Sequence, residues 1–96
     1  MADVRKYKTN NYIHLNIEEV NSRVKKVTAR VLENNVSDIG DDANFVNDLG
    51  ATSIQSIRLV AGFEEEFNIE LDEDKSLQVQ TVSAAVTFIC SYLRVD

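Results

Sequence analysis

The sequence predicts an all-α domain: a small antiparallel bundle of three long helices and one short helix, with a long loop between the first and second helices. Three observations predict it. Apolar residues recur at steps of three and four in three separate stretches, each preceded by a capping residue. The chain has no proline and only three glycines, which favours long helices over tight-turned sheets. Between residues 36 and 52 the period disappears and turn-forming residues dominate.

The first helix begins after Asn16. Asn16 and Glu19 form a capping-box pair, and Leu15 and Val20 occupy the positions of a hydrophobic staple. Ile17, Val20, Val24, Val27 and Val31 make its apolar stripe, and Asn34 and Asn35 end it. Its valines lower intrinsic helix propensity, so burial has to hold it. The loop that follows is rich in Asp, Asn and Gly, with Ile39, Phe45, Val46 and Leu49 available to pin it to the core.

The second helix spans about Thr52 to Phe67, with Ile54, Ile57, Val60, Ala61, Phe63 and Phe67 as its apolar sector. Gly62 interrupts it at a cost of about 1 kcal/mol relative to alanine. Residues 68–72 alternate like a strand but have no partner strand, so an extended loop is expected. A short helical turn follows near Glu73–Leu77. The last helix starts after Thr81 and buries Val82, Ala85, Val86, Ile89, Cys90 and Leu93. Residues 1–15 show no period and read as an N-terminal arm, with residues 16–96 as the helical domain.

Composition excludes several functions. The net charge of −6 speaks against nucleic-acid binding. The charge is segregated: residues 1–33 hold seven Lys/Arg against four Asp/Glu, and residues 34–74 hold eleven Asp/Glu against Arg58 alone. Such a surface attracts basic partner patches. No apolar stretch reaches membrane-span length, and no secretory leader is visible. Cys90 is the only cysteine, which suits a reducing cytoplasm. His14 is the only histidine, so no catalytic triad or zinc site can be assembled, and no enzyme activity or metal site is expected. The carboxylates from Glu64 to Asp74 read as a solvated acidic face.

One segment remains. Asp48-Leu49-Gly50-Ala51-Thr52-Ser53-Ile54 sets a serine at a helix start, after a glycine-containing turn. Either Thr52 or Ser53 can cap, and Thr52 with Gln55 fits a capping box. If Thr52 caps, the Ser53 hydroxyl is free for esterification. A phosphodiester there meets unpaired N–H groups and the positive end of the helix dipole.

This segment, with Glu64-Glu65-Glu66-Phe67, Ile69-Glu70-Leu71 and Thr81-Val82-Ser83-Ala84-Ala85-Val86 downstream, resembles the acyl carrier proteins over roughly residues 17–93. The resemblance implies a carrier of acyl groups as thioesters on 4′-phosphopantetheine attached to Ser53, with Thr52 and Ile54 flanking it. Fatty-acid or related specialised lipid synthesis is the implied setting. A polyketide, peptidyl or aminoacyl carrier, or an unmodified module binding basic partners, are the alternatives. It further implies an acyl pocket, for which Phe45, Ile54, Ile57, Ala61, Leu71, Val82 and Ile89 are the candidates. A phosphopantetheinyl transferase, acyl synthases and acyltransferases would dock basic patches near Gln55, Arg58, Glu64, Glu65 and Glu70. A cytoplasmic monomer is expected. The sequence departs from the family pattern in two respects. Thr52 stands where aspartate is usual, and Gln55 and Arg58 replace carboxylates early in the second helix. Gly62 and Ala61 are small, and are candidates for enlarging the pocket or admitting a partner.

Overall fold

In the computed structural model, which describes residues 15–93, three long helices and one short one account for the regular structure. They are α1 (Ile17–Leu32), α2 (Ser53–Phe67), α3 (Glu73–Ser76) and α4 (Val82–Leu93), with a single 3₁₀ turn at Val36–Asp38. α1 packs on both α2 and α4. Of the expected arm, only Leu15 falls among the described residues, and it is buried.

Both predicted capping boxes form. The Glu19 N–H donates to the Asn16 side chain at 2.9 Å, and the Asn16 N–H returns to Glu19. These reciprocal bonds satisfy donors that a helix start otherwise leaves open. α1 ends at Glu33, whose backbone is left-handed with φ 59°. Val20, Val24, Val27, Thr28, Ala29 and Leu32 form its buried face. Ile17, expected in that stripe, is 53% exposed, and burial begins instead with the staple residue Leu15.

The buried face of α2 also differs from expectation. It consists of Leu59, Gly62, Phe63 and Phe67, whereas Ile54, Ile57 and Ala61 point outward. Two residues along a helix amount to a rotation of about 200°, so Leu59 cannot share a face with Ile57 or Ala61. Gly62 does not widen a pocket. It faces α1 so closely that a Cβ there would lie 2.9 Å from Val27 Cγ1. Small size at this position brings two helix backbones together.

Arg23 ties α1 to the end of α2. Its Nε donates to the Glu66 carboxylate at 2.7 Å, its second nitrogen donates to the Glu66 carbonyl at 3.0 Å, and its guanidinium lies 4.9 Å from the Phe67 ring centroid.

The long loop is held by backbone bonds to the start of α4. The Phe45 N–H donates to Gln80 O, the Val82 N–H to Ala43 O, and the Ser83 N–H to Asp41 O. On the other side Lys25 of α1 pairs with Asp41 at 2.6 Å, and Asn21 adds a hydrogen bond. These contacts pull the Asp41 carboxyl below its ordinary pKa, the Lys25 hydrogen bond contributing most. Ile39 and Phe45 pin the loop to the core as expected. Val46 does not: it is 56% exposed.

Candidate functional site

The serine singled out by sequence is placed by a compact knot of hydrogen bonds just before it. Asn44 is the hub. Its side-chain oxygen accepts the N–H groups of Val46 and Asn47, its carbonyl accepts those of Asp48 and Leu49, and its own N–H donates to the Asp48 carboxylate at 2.8 Å. The chain then turns back. The Gly50 N–H donates to Val46 O and the Ala51 N–H to Phe45 O. Gly50 has φ +73°, a conformation that residues with a side chain rarely adopt. Phe45 and Ala51 are buried on either side of this reversal, so the first residue of α2 emerges from a fixed base.

Thr52, not Ser53, is the N-cap. Its hydroxyl oxygen accepts the Gln55 N–H at 3.1 Å, its carbonyl accepts the Ser56 N–H, and the Gln55 side chain accepts the Thr52 N–H at 3.0 Å. Ser53 is therefore the first helical residue, exposed, and its hydroxyl makes no hydrogen bond to any described residue. The N–H groups of Ser53 and Ile54 likewise have no acceptor among the described residues. A helix start with two open donors suits an anionic ester. No acidic side chain lies in the first turn of α2 to oppose that charge. The residues present thus fit a phosphodiester on the Ser53 oxygen.

Beside this point lies a cavity of about 350 Å³ between the 44–47 turn, α2, the 71–80 segment and α4. Phe45, Leu59, Phe63, Leu71, Phe88 and Ile89 give it an apolar interior, and Asn47, Ser56 and Gln80 add polar groups. Ser56 lies one turn beyond Ser53, so the cavity wall begins close to the candidate attachment point. A second groove of about 340 Å³ runs between α2 and α3, lined by Ile57, Val60, Ala61, Glu64, Glu70 and Leu77 among others.

The pocket candidates therefore separate. Phe45 and Ile89 line the larger cavity, Leu71 lines both, and Ile57 and Ala61 face the second groove only. Ile54 is 63% exposed and lines neither, because it lies on the outward face of α2. Val82 is fully buried and lines neither, since it serves the core at the start of α4. Leu59, Phe63 and Phe88, which sequence reasoning did not select for the pocket, are central to it. The 3.6-residue period of α2 was the available signal: Leu59 and Phe63 are four apart, on the side opposite Ile57.

The docking candidates separate as well. Gln55 is engaged in the capping box. Glu64 accepts the Leu71 N–H at 3.0 Å and so holds the 68–72 loop against α2. The same loop is held from α4, where the Tyr92 hydroxyl oxygen accepts the Asp72 N–H. Arg58, Glu65 and Glu70 are exposed. Cys90 is half-buried, and burial pushes its thiol pKa up, which disfavours the nucleophilic thiolate. Among the described residues no cluster of His, Cys, Asp and Glu is arranged to hold a metal ion, and no helix is long and apolar enough to cross a membrane.

Residues 22–89 match the family model described as phosphopantetheine attachment site. An acyl carrier protein of Phenylobacterium zucineum (strain HLK1) is 40% identical over 73 residues, covering 76% of this chain and 92% of that relative.

Proposed function

Since this chain belongs to the acyl carrier protein family, whose members are carriers and not enzymes, we propose that its 4′-phosphopantetheine is attached to Ser53 and bears acyl groups for fatty-acid or related specialised lipid synthesis. The observation that supports Ser53 is its exposed hydroxyl at the head of α2, with no hydrogen bond to any described residue, beside two N–H donors with no acceptor among them. When bound, the group supplies a terminal thiol that holds the acyl chain as a thioester.

The chain's own residues do three things in this reading. Thr52 satisfies the helix cap, which leaves the Ser53 oxygen available to a transferase. The N–H groups of Ser53 and Ile54 stabilise the diester charge. The cavity lined by Phe45, Leu59, Phe63, Leu71, Phe88 and Ile89 shelters the apolar part of the cargo, with burial of hydrocarbon as the driving force. Transferases and acyl-processing enzymes are its partners. The lone Cys90 fits a reducing cytoplasm.

The test is direct. Incubation with coenzyme A, magnesium and a broad-specificity phosphopantetheinyl transferase should raise the intact mass by one arm, and Ser53→Ala should not gain it. A gain that persists in Ser53→Ala would place the arm elsewhere. No gain in the wild type would leave a helical binding module.

A further inference from the structure

The outward side of α2 carries a stripe that starts beside Ser53. Ile54, Ile57, Arg58, Ala61 and Glu65 follow at steps of three, one, three and four, so they share one side of the helix. All five are exposed. Ile54 and Ile57 are more than 60% exposed, and Leu77, at the end of α3, is 60% exposed. Leu77 lines the same groove as Ile57 and Ala61. Apolar area of this kind, rimmed by charge, is characteristic of an interaction surface.

The rim is sorted by sign. Arg58 is the first ionisable residue of α2 and the only basic one on the helix. Glu65 lies near the end of α2, Glu70 and Glu73 line the adjoining groove, and the three carboxylates have no hydrogen-bond or ion-pair partner among the described residues. Glu64 and Glu66 do not add to this outward field in the same way, because they are held by the Leu71 N–H and by Arg23. Arg58 and Glu65 are seven residues apart, or about 10 Å along the helix.

We propose that this stripe docks protein partners of bipolar charge. Such a partner sets a carboxylate opposite Arg58 near Ser53, an apolar patch on Ile54, Ile57 and Leu77, and a lysine or arginine opposite Glu65, Glu70 and Glu73. A uniformly basic surface meets a like charge at Arg58, close to where the arm begins. A bipolar surface is attracted at both ends, which selects the partner and fixes its direction. The proposal rests on the carrier reading for the identity of the neighbouring site, but its test does not.

Three fluorescein-labelled helical peptides with one shared leucine stripe serve as probes: one bipolar, one with lysines at both ends, one with glutamates at both ends. Anisotropy titrations use the full chain at low salt. The bipolar peptide should bind about fivefold tighter than the all-lysine peptide, as expected for one exposed charge pair, and salt should narrow the gap. Arg58→Glu should reverse that order, and Ile57→Glu should weaken all three. Equal or tighter binding of the all-lysine peptide to wild type would overturn the proposal, as would an unchanged order in Arg58→Glu. Self-association of the chain that Ile57→Glu abolishes would also overturn it, by giving the stripe to a second copy. Failure of Ser53 to gain the arm would sink the carrier reading and leave this ranking untouched.

Discussion

Val27 of α1 and Gly62 of α2 face each other with no room for a further carbon: a Cβ on residue 62 would approach Val27 Cγ1 to 2.9 Å. Valine has a stiff side chain in a helix and Val27 is fully buried, so relief requires the helices to part. Overpacking typically costs about 1–3 kcal/mol, against a helix-propensity gain of about 1 kcal/mol for glycine to alanine. Gly62→Ala should therefore destabilise the protein by about 1 kcal/mol in urea denaturation. In a Val27→Ala background the clash is gone, and the same change should stabilise. A double-mutant cycle with no coupling would show that the contact is slack.

Thr52 and Ser53 are neighbours with separate duties, and stability should tell them apart. Thr52→Ala removes the hydroxyl that accepts the Gln55 N–H and should cost about 1 kcal/mol. Ser53→Ala removes a hydroxyl with no bond to a described residue, and should change stability by less than about 0.5 kcal/mol. Thr52→Asp keeps a cap and should match wild type. Denaturant midpoints of the three variants decide it. Equal losses at positions 52 and 53 would contradict the assignment of the cap.

Arg23 engages Glu66 through two nitrogens and Phe67 through its guanidinium plane. Lysine keeps the charge and loses the fork and the planar stack. Both paired side chains are about a third exposed, so solvent screening reduces the value of the ion pair. Arg23→Lys should cost about 0.5–1 kcal/mol, and most of that loss should survive high salt. A loss that vanishes in salt would reduce the contact to simple charge attraction.

The Asp41 carboxyl is held below its ordinary range by the Lys25 hydrogen bond, then by Asn21 and by the Lys25 charge. A depressed folded pKa means that the stabilisation is present above the unfolded value, about 3.9, and is lost as pH falls through the folded value. Asp41→Asn should therefore melt below wild type at neutral pH, with the difference closing in strong acid. Because Asp41 is exposed, the effect is small. Thermal melts at several pH values measure it, and a difference that grows in acid would reverse the sign.

Legibility in the sequence followed the range of the interaction. The capping boxes at Asn16–Glu19 and Thr52–Gln55 span three residues each, and both could be seen from residue type alone. The helical stretches were legible for the same reason. α2 was harder, because it is apolar on two sides. Ile54, Ile57 and Ala61 satisfy the helical period as well as Leu59, Phe63 and Phe67 do. Only packing against α1 decides which set is buried. The bonds that tie residues 41–45 to the start of α4 were not legible, since their partners are backbone atoms 35–42 residues along the chain at Gln80, Val82 and Ser83. The roles of Glu64 and Tyr92 were hidden likewise. A glutamate that accepts a backbone N–H looks, in sequence, like any surface glutamate.

The knot around Asn44 has a mechanical consequence for anything hung from Ser53. The root of such a tether is bolted through Phe45 and Ala43 to the head of α4, and through Asp41 to α1. A tether proposed at Ser53 thus starts from a point tied by hydrogen bonds and an ion pair to two other helices. Once a cargo leaves the cavity, the reach of such a tether follows from its length, like a crane whose jib swings from a braced post.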